Sequence, residues 1–363
     1  MNRLTAIGLA SLVAYGVLLA TKWDAGEAPR EAPATDMAAE AQSPAPAPAD
    51  SRIEIARATP AVSRVHAMPV PVVNPVAPRS SSIASDFRST RDLKAFADAL
   101  LARKGSLTAD ERYHLAKAME TCLFATSVNE DLASYSAKQR RQFLATLPAT
   151  DPASAQRVAA YDNVDDATRC LRFRGTKLSP ADIDALYVEA ARLGDARAQA
   201  RLLAAEIQRA VQNQPRDESG SPPRISPDDL ARIVNILETG DPEAMLVVGG
   251  LLSQSPLKEQ LRVGPNDEMP EPSAFLGAWN LVACDMGLDC GSQHRDLQQA
   301  CAFAAYCGAG HFEQHYQTFV ASPFVYQQAQ RYRALIHSAL QTHNWAQIGL
   351  GPKLTYAPSK SAR

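Results

Sequence analysis

The sequence predicts an all-α protein: an array of helical hairpins standing behind one N-terminal transmembrane helix and a disordered linker. Three observations carry that expectation. Leu4 to Ala20 holds no charged residue, Ala and Pro dominate the next sixty residues, and from Ser85 onward helix starts and stops recur. No stretch alternates β-branched and polar residues as a half-buried strand would, so no sheet is expected.

The first element, residues 1–22, opens Met-Asn-Arg and continues as LTAIGLASLVAYGVLLA. Seventeen apolar residues at about 1.5 Å rise each are just long enough to span a hydrocarbon core, and longer than most signal-peptide cores. The reading is an uncleaved signal anchor with Arg3 inside. It places a single-pass protein in a bacterial inner membrane with its domain facing the periplasm. The alternative is a secreted periplasmic protein, cleaved after Leu18-Leu19-Ala20. No cysteine follows the apolar run, so lipid modification is not expected.

Residues 23–84 follow, and ten of the chain's 25 prolines lie between Pro29 and Pro78. Such a composition buries too little apolar surface to offset chain entropy, which predicts a disordered tether with polyproline character. At about 3.1 Å per residue it could reach on the order of 150 Å. The tail over 349–363 (GLGPKLTYAPSKSAR) is also expected to be disordered.

Between them, residues 85–348 are punctuated as helices. Ser89 or Thr90 is placed to cap a helix carrying Leu93, Phe96 and Leu100, and Thr108 with Glu111 forms a capping-box pattern. Ser179-Pro180 and Ser226-Pro227 each put a capping hydroxyl before a proline at the first helical position. Gly194, Gly240 and Gly287 are the stops, 46 and 47 residues apart. Asp195 and Asp241 follow the first two as caps of the next helix.

Around those glycines a layout recurs. Tyr187, Ala190-Ala191, Gly194 and Ala198 form its clearest copy, with partial echoes over 230–252 and from Trp279 to Gly287. This resembles the Sel1-like repeats of the tetratricopeptide-like superfamily over residues 183–203, and partly over 230–252. The spacing is longer than the roughly 34 residues of a tetratricopeptide unit. The resemblance implies a scaffold that binds partners on a concave helical face, without chemistry of its own.

Six cysteines behind an export signal imply a disulfide framework: Cys122, Cys170, Cys284, Cys290, Cys301 and Cys307. The last four read C-x5-C-x10-C-x5-C. If they lie on an antiparallel hairpin, Cys284 with Cys307 and Cys290 with Cys301 share one index sum, which favours nested bridges. A local Cys284–Cys290 link across the Gly287 cap is the main rival. Cys122 then pairs with Cys170. Five-residue gaps suit zinc or iron–sulfur ligation poorly, and no C-x-x-C redox pair exists.

His311 and His315 stand four apart and are the weak candidates for metal ligation, with no third ligand evident; His337 and His343 read as isolated. Tyr161 to Asp166 lacks the glycine and distal Glu of a calcium loop, so it reads as helix capping. Arg169, Arg172, Arg174 and Lys177 read as a solvated basic face. Phe275, Trp279, Phe303 and Tyr306 are expected to pack the hairpin core.

A net charge of −2 gives no reason to expect a nucleic-acid partner. No nucleophile elbow, phosphate loop or dinucleotide fingerprint is present, and no cofactor is called for. The expected function is therefore a membrane-tethered periplasmic interaction module, scaffold or adaptor, for an envelope protein or a glycan. The alternatives are an enzyme acting on cell-envelope polymers, which calls for a deep cleft with a carboxyl of raised pKa, and a steric chaperone. The chaperone reading rests on a plan of anchor, linker and helical domain like that of lipase chaperones, without their R-x-x-F-D-Y signature.

Overall fold

The computed structural model describes residues 81–103, 105–126, 131–213, 225–254 and 257–351. The expected anchor over 1–22, the linker as far as residue 80 and the tail from residue 352 lie outside the described residues. Within them the chain is helical; its only β features are the isolated bridges Val263–Glu268 and Gly291–His311. No helix among the described residues is long and apolar enough to cross a membrane.

The first group is α1 (Ser82–Ser89), α2 (Leu93–Leu101), α3 (Ala109–Thr121), α4 (Leu132–Thr146), α5 (Ser154–Val164) and the one-turn α6 (Asp166–Arg169). Helix α1 starts three residues ahead of the expected boundary at Ser85. The Ala84 N–H donates to Ser81 Oγ at 3.1 Å, and the turn buries Phe87 against α3. The cap of α2 is neither Ser89 nor Thr90 but Asp92, which accepts from the Ala95 N–H at 2.9 Å. Ser89 is instead spent as the last residue of α1. The capping box of α3 closes in both directions, Thr108 to Glu111 and back.

The second group begins with two helix pairs, α7 (Pro180–Arg192) with α8 (Ala196–Asn213) and α9 (Pro227–Glu238) with α10 (Pro242–Ser253). Ser179 and Ser226 cap α7 and α9, as their Ser-Pro patterns imply. Gly194, Gly240 and Gly287 have φ of +93°, +69° and +101°, the left-handed conformation that lets the chain leave a helix at once. After the first two, Asp195 and Asp241 accept from the N–H groups of Ala198 and Ala244.

Next come the one-turn α11 (Leu257–Gln260), α12 (Pro272–Asp285), α13 (Arg295–Ala304), the one-turn α14 (Phe312–His315) and α15 (Pro323–Thr342). Packing passes along a relay: α3 on α7, α7 on α8, α8 on α10, α10 on α12, α12 on α15. The large core on this relay holds Leu203, Ile233, Leu237, Met245, Leu252, Phe275 and Trp279. Burying each such side chain contributes about 1.5–3 kcal/mol. The α10–α12 crossing is tight, because a Cβ on Gly249 would overlap the Trp279 side chain. Phe275 and Trp279 are thus in the core as expected, both 0 % exposed.

Helix α13 departs from expectation. It does not fold back along α12; it packs on α5, where its Ala302 joins Phe143, Ala160 and Tyr161 in a separate small core. Arg157 on α5 fixes the pairing by donating to the Ala302 carbonyl at 3.0 Å while held by Asp151.

Candidate functional site: the stapled aromatic end

The placement of α13 overturns the nested disulfides. The bridges are Cys122–Cys170, Cys284–Cys290 and Cys301–Cys307. The first joins the end of α3 to the end of α6 within a core. The other two each span a helix end, and the local geometry explains both. After Cys284 the Leu288 N–H reaches back to the Ala283 carbonyl at 2.9 Å around left-handed Gly287, which turns Cys290 toward Cys284. After Cys301 the Tyr306 N–H reaches the Ala300 carbonyl at 3.2 Å around Ala305, whose φ is +62°, and brings Cys307 within 4.2 Å Cα–Cα. Ala305 is a non-glycine in a conformation that favours glycine, so no sequence signal marked this turn.

The second staple carries a loop that faces outward. Phe303 and Tyr306, expected in the core, are 60 % and 40 % exposed. The physical reason is the same: with α13 turned onto α5, its inward positions are Leu297, Cys301 and Ala302, and the intervening positions look to solvent. The inner edge of Phe303 still touches Phe143 and Tyr161, with ring centroids 5.8 and 5.9 Å away.

Tyr306 stacks on Phe319, centroids 4.5 Å apart and planes within 10°. Phe319 lies in a π-helical turn, Tyr316–Val320, that joins α14 to α15. Val320 and Phe324 are also exposed. His315 sits beside the stacked pair, 6.3 Å from Tyr306 and 5.8 Å from Phe319 ring to ring. It is 5 % exposed, its Nδ1 has no hydrogen-bond partner, and burial pushes its pKa down.

The two histidines read as a possible metal pair part company here. His311 is exposed and caps α14, its Nδ1 accepting from the Glu313 N–H at 3.3 Å, while His315 is buried. Among the described residues no group of three or more His, Cys, Asp or Glu side chains is placed to hold a metal ion. His294 caps α13, its Nδ1 accepting from the Asp296 N–H. Burial pushes the His294 pKa down and the Asp296 carboxyl up.

Two further polar clusters escaped the sequence reading. His337 is not isolated: its Nε2 lies 2.7 Å from Asp285 Oδ2. Arg333 Nε donates to the same oxygen at 2.7 Å, and its Nη1 to Glu313 at 2.8 Å. Burial pushes the Asp285 carboxyl up, yet hydrogen bonds from His337 and Arg333 outweigh it and hold it below its ordinary value. At the meeting of α3, α8 and α10, Tyr113 donates to Glu243 at 2.9 Å and Lys117 pairs with the same carboxylate. Burial pushes Glu243 up, but Lys117 and then Arg197 prevail and bring it to about 2. The Arg197 guanidinium also lies 4.2 Å from the Tyr113 ring centre. Both clusters lock helices together through mutual pairing.

The remaining sequence candidates resolve the same way. Of the segment 161–166, Asp165 caps α6, while Asp162 lies within α5 and pairs with Arg140. The basic run is not one solvated face, because Arg169 is buried and donates to the Phe87 carbonyl at 2.7 Å. Arg172 and Arg174 are paired with Asp92 and Asp131. His343 lies exposed, 3.3 Å from Glu238.

Two shallow concavities lie elsewhere, of about 340 Å³ between the start of α3 and the end of α7, and about 260 Å³ between α8 and α9. Neither is lined by Asp296 or Asp241, the carboxyls that burial pushes up. Comparison with known proteins finds no matching family, no matching curated protein and no matching solved structure.

Proposed function

We propose that this chain is a membrane-tethered interaction module whose helical domain, similar to Sel1-like arrays, stands in the periplasm and holds a partner without transforming it. The observation that carries the proposal is the exposed aromatic surface of residues 303–324, whose first loop is closed by a disulfide. Soluble domains seldom leave several large apolar side chains of one segment in water unless something covers them. Support also comes from the closed pairing of the charged clusters, which leaves their carboxylates engaged with Arg, Lys and His. Three disulfides fit an oxidising compartment, and the glycine-ended helix pairs α7–α8 and α9–α10 fit a helical-hairpin scaffold.

The test is crosslinking in the native host followed by mass spectrometry of the captured material. A partner, protein or glycan, recovered with the intact chain and lost on deletion of residues 81–351 supports the module. Recovery of nothing in either form overturns it and returns attention to catalysis.

A further inference from the structure

The chemistry of the aromatic surface narrows what it can hold. From Leu297 to Gln330 the sequence contains one carboxylate, Glu313, and no Lys or Arg. Glu313 is already engaged by Tyr326, Gln330 and Arg333. Arg157, which reaches this end from α5, is neutralised by Asp151, and Arg295 at the start of α13 shares Asp166 with Arg169. The polar side chains exposed among the aromatics are amides and hydroxyls: Gln314, Gln317, Thr318, Ser322 and Gln327. His315 lies buried beside the stack, where Asp296 also acts on its imidazole, so it supports the rings without facing solvent.

An anionic polymer or a lipid headgroup calls for Lys or Arg, and the segment from Leu297 to Gln330 has none to offer. Specific protein partners are commonly selected by opposite charges around an apolar centre, and the segment that presents these rings carries only Glu313, already paired with Arg333. A sugar ring makes different demands. Its C–H face packs on an aromatic ring, and its hydroxyls exchange hydrogen bonds with amides and hydroxyls, with no ionic contact required.

We propose that the Tyr306–Phe319 stack, with the exposed glutamines of the same segment, is a binding site for a neutral, hydroxyl-rich glycan. This rests on the interaction-module reading and names its partner. The outer faces of the stack take sugar rings, Gln317 and Gln327 bond hydroxyls along the chain, and the Cys301–Cys307 bridge keeps Tyr306 presented before the ligand arrives. Preorganisation of that kind lowers the ordering cost of binding.

The test uses the full-length oxidised chain in a sugar-free detergent. Calorimetric titration is run with N-acetylglucosamine oligomers and a soluble β-glucan as neutral probes, and with polygalacturonate and chitosan as charged ones. Binding of a neutral probe is expected to weaken about tenfold or more in Tyr306→Ala/Phe319→Ala, the loss of one or two ring contacts. Val188→Ala, an exposed apolar position on α7, is expected to leave it unchanged. Thermal melts establish that each variant is folded, and Phe319→Tyr is expected to retain binding. The proposal is overturned if no neutral probe binds, if a charged probe binds more tightly, or if the double substitution leaves binding intact. A protein crosslinked specifically through residues 303–324 overturns the glycan while leaving the interaction module standing. Failure of both experiments removes both.

Discussion

Replacing Glu243 by Gln tests the charge cluster that ties α3, α8 and α10 together. The folded protein lowers this carboxyl from the ordinary 4.5 to about 2, against the effect of burial. At 1.36 kcal/mol per pH unit this corresponds to about 3 kcal/mol of preference for the ionised form. The side chain is 27 % exposed, so solvent screening reduces the expected loss to about 2 kcal/mol at neutral pH. Glutamine keeps an acceptor for Tyr113 but leaves Lys117 without its counter-charge. Because the folded value is depressed, the stabilisation is complete above about pH 5 and is lost as pH falls toward 2. Urea unfolding of wild type and variant, disulfides intact, at a series of pH values from 7 to 2.5 reads this directly. The gap in midpoint is expected to be widest at pH 7 and to close on acidification. A gap that holds constant down to pH 2.5 would refute the electrostatic reasoning and leave only a packing role for the side chain.

Two further predictions follow from the packing and the bridges. Gly249→Ala sets a methyl against Trp279 and is expected to cost about 1–3 kcal/mol by overpacking, read as a lower thermal midpoint; an unchanged midpoint would show that α10 and α12 can separate freely. Loss of Cys122–Cys170, which closes a 48-residue separation, is expected to cost about 4 kcal/mol by loop entropy, against about 2 for either six-residue bridge. Denaturant midpoints of the three paired Cys→Ser variants test the order, and equal losses would contradict it.

What the sequence made legible was local. The capping box at Thr108, the Ser-Pro starts at Ser179 and Ser226, and the left-handed glycines 194, 240 and 287 are written in neighbouring residues and recur in the structure. What stayed hidden is contact between distant parts of the chain. Nothing near Cys301 announces that α13 will pack on α5, 140 residues earlier, yet that choice decides the disulfide pairing and exposes Phe303 and Tyr306. Arg169 looked like a surface charge because its partners, the carbonyls of Phe87 and Thr90, belong to an element 80 residues away. Asp285 and His337 are likewise 52 residues apart and meet only because α12 lies along α15. The aromatic site combines both kinds: its residues sit in one stretch of sequence, while their exposure is a tertiary fact.

Every bridge joins a cysteine to the next one along the chain: 122 to 170, 284 to 290, 301 to 307. A polypeptide whose cysteines enter an oxidising space in chain order, and are oxidised as each thiol emerges, would therefore close native bonds in order and trap no crossed pair. Such a chain has little need of a reshuffling catalyst. Nested bonds would have required Cys284 to wait, unreacted, for the last thiol to arrive.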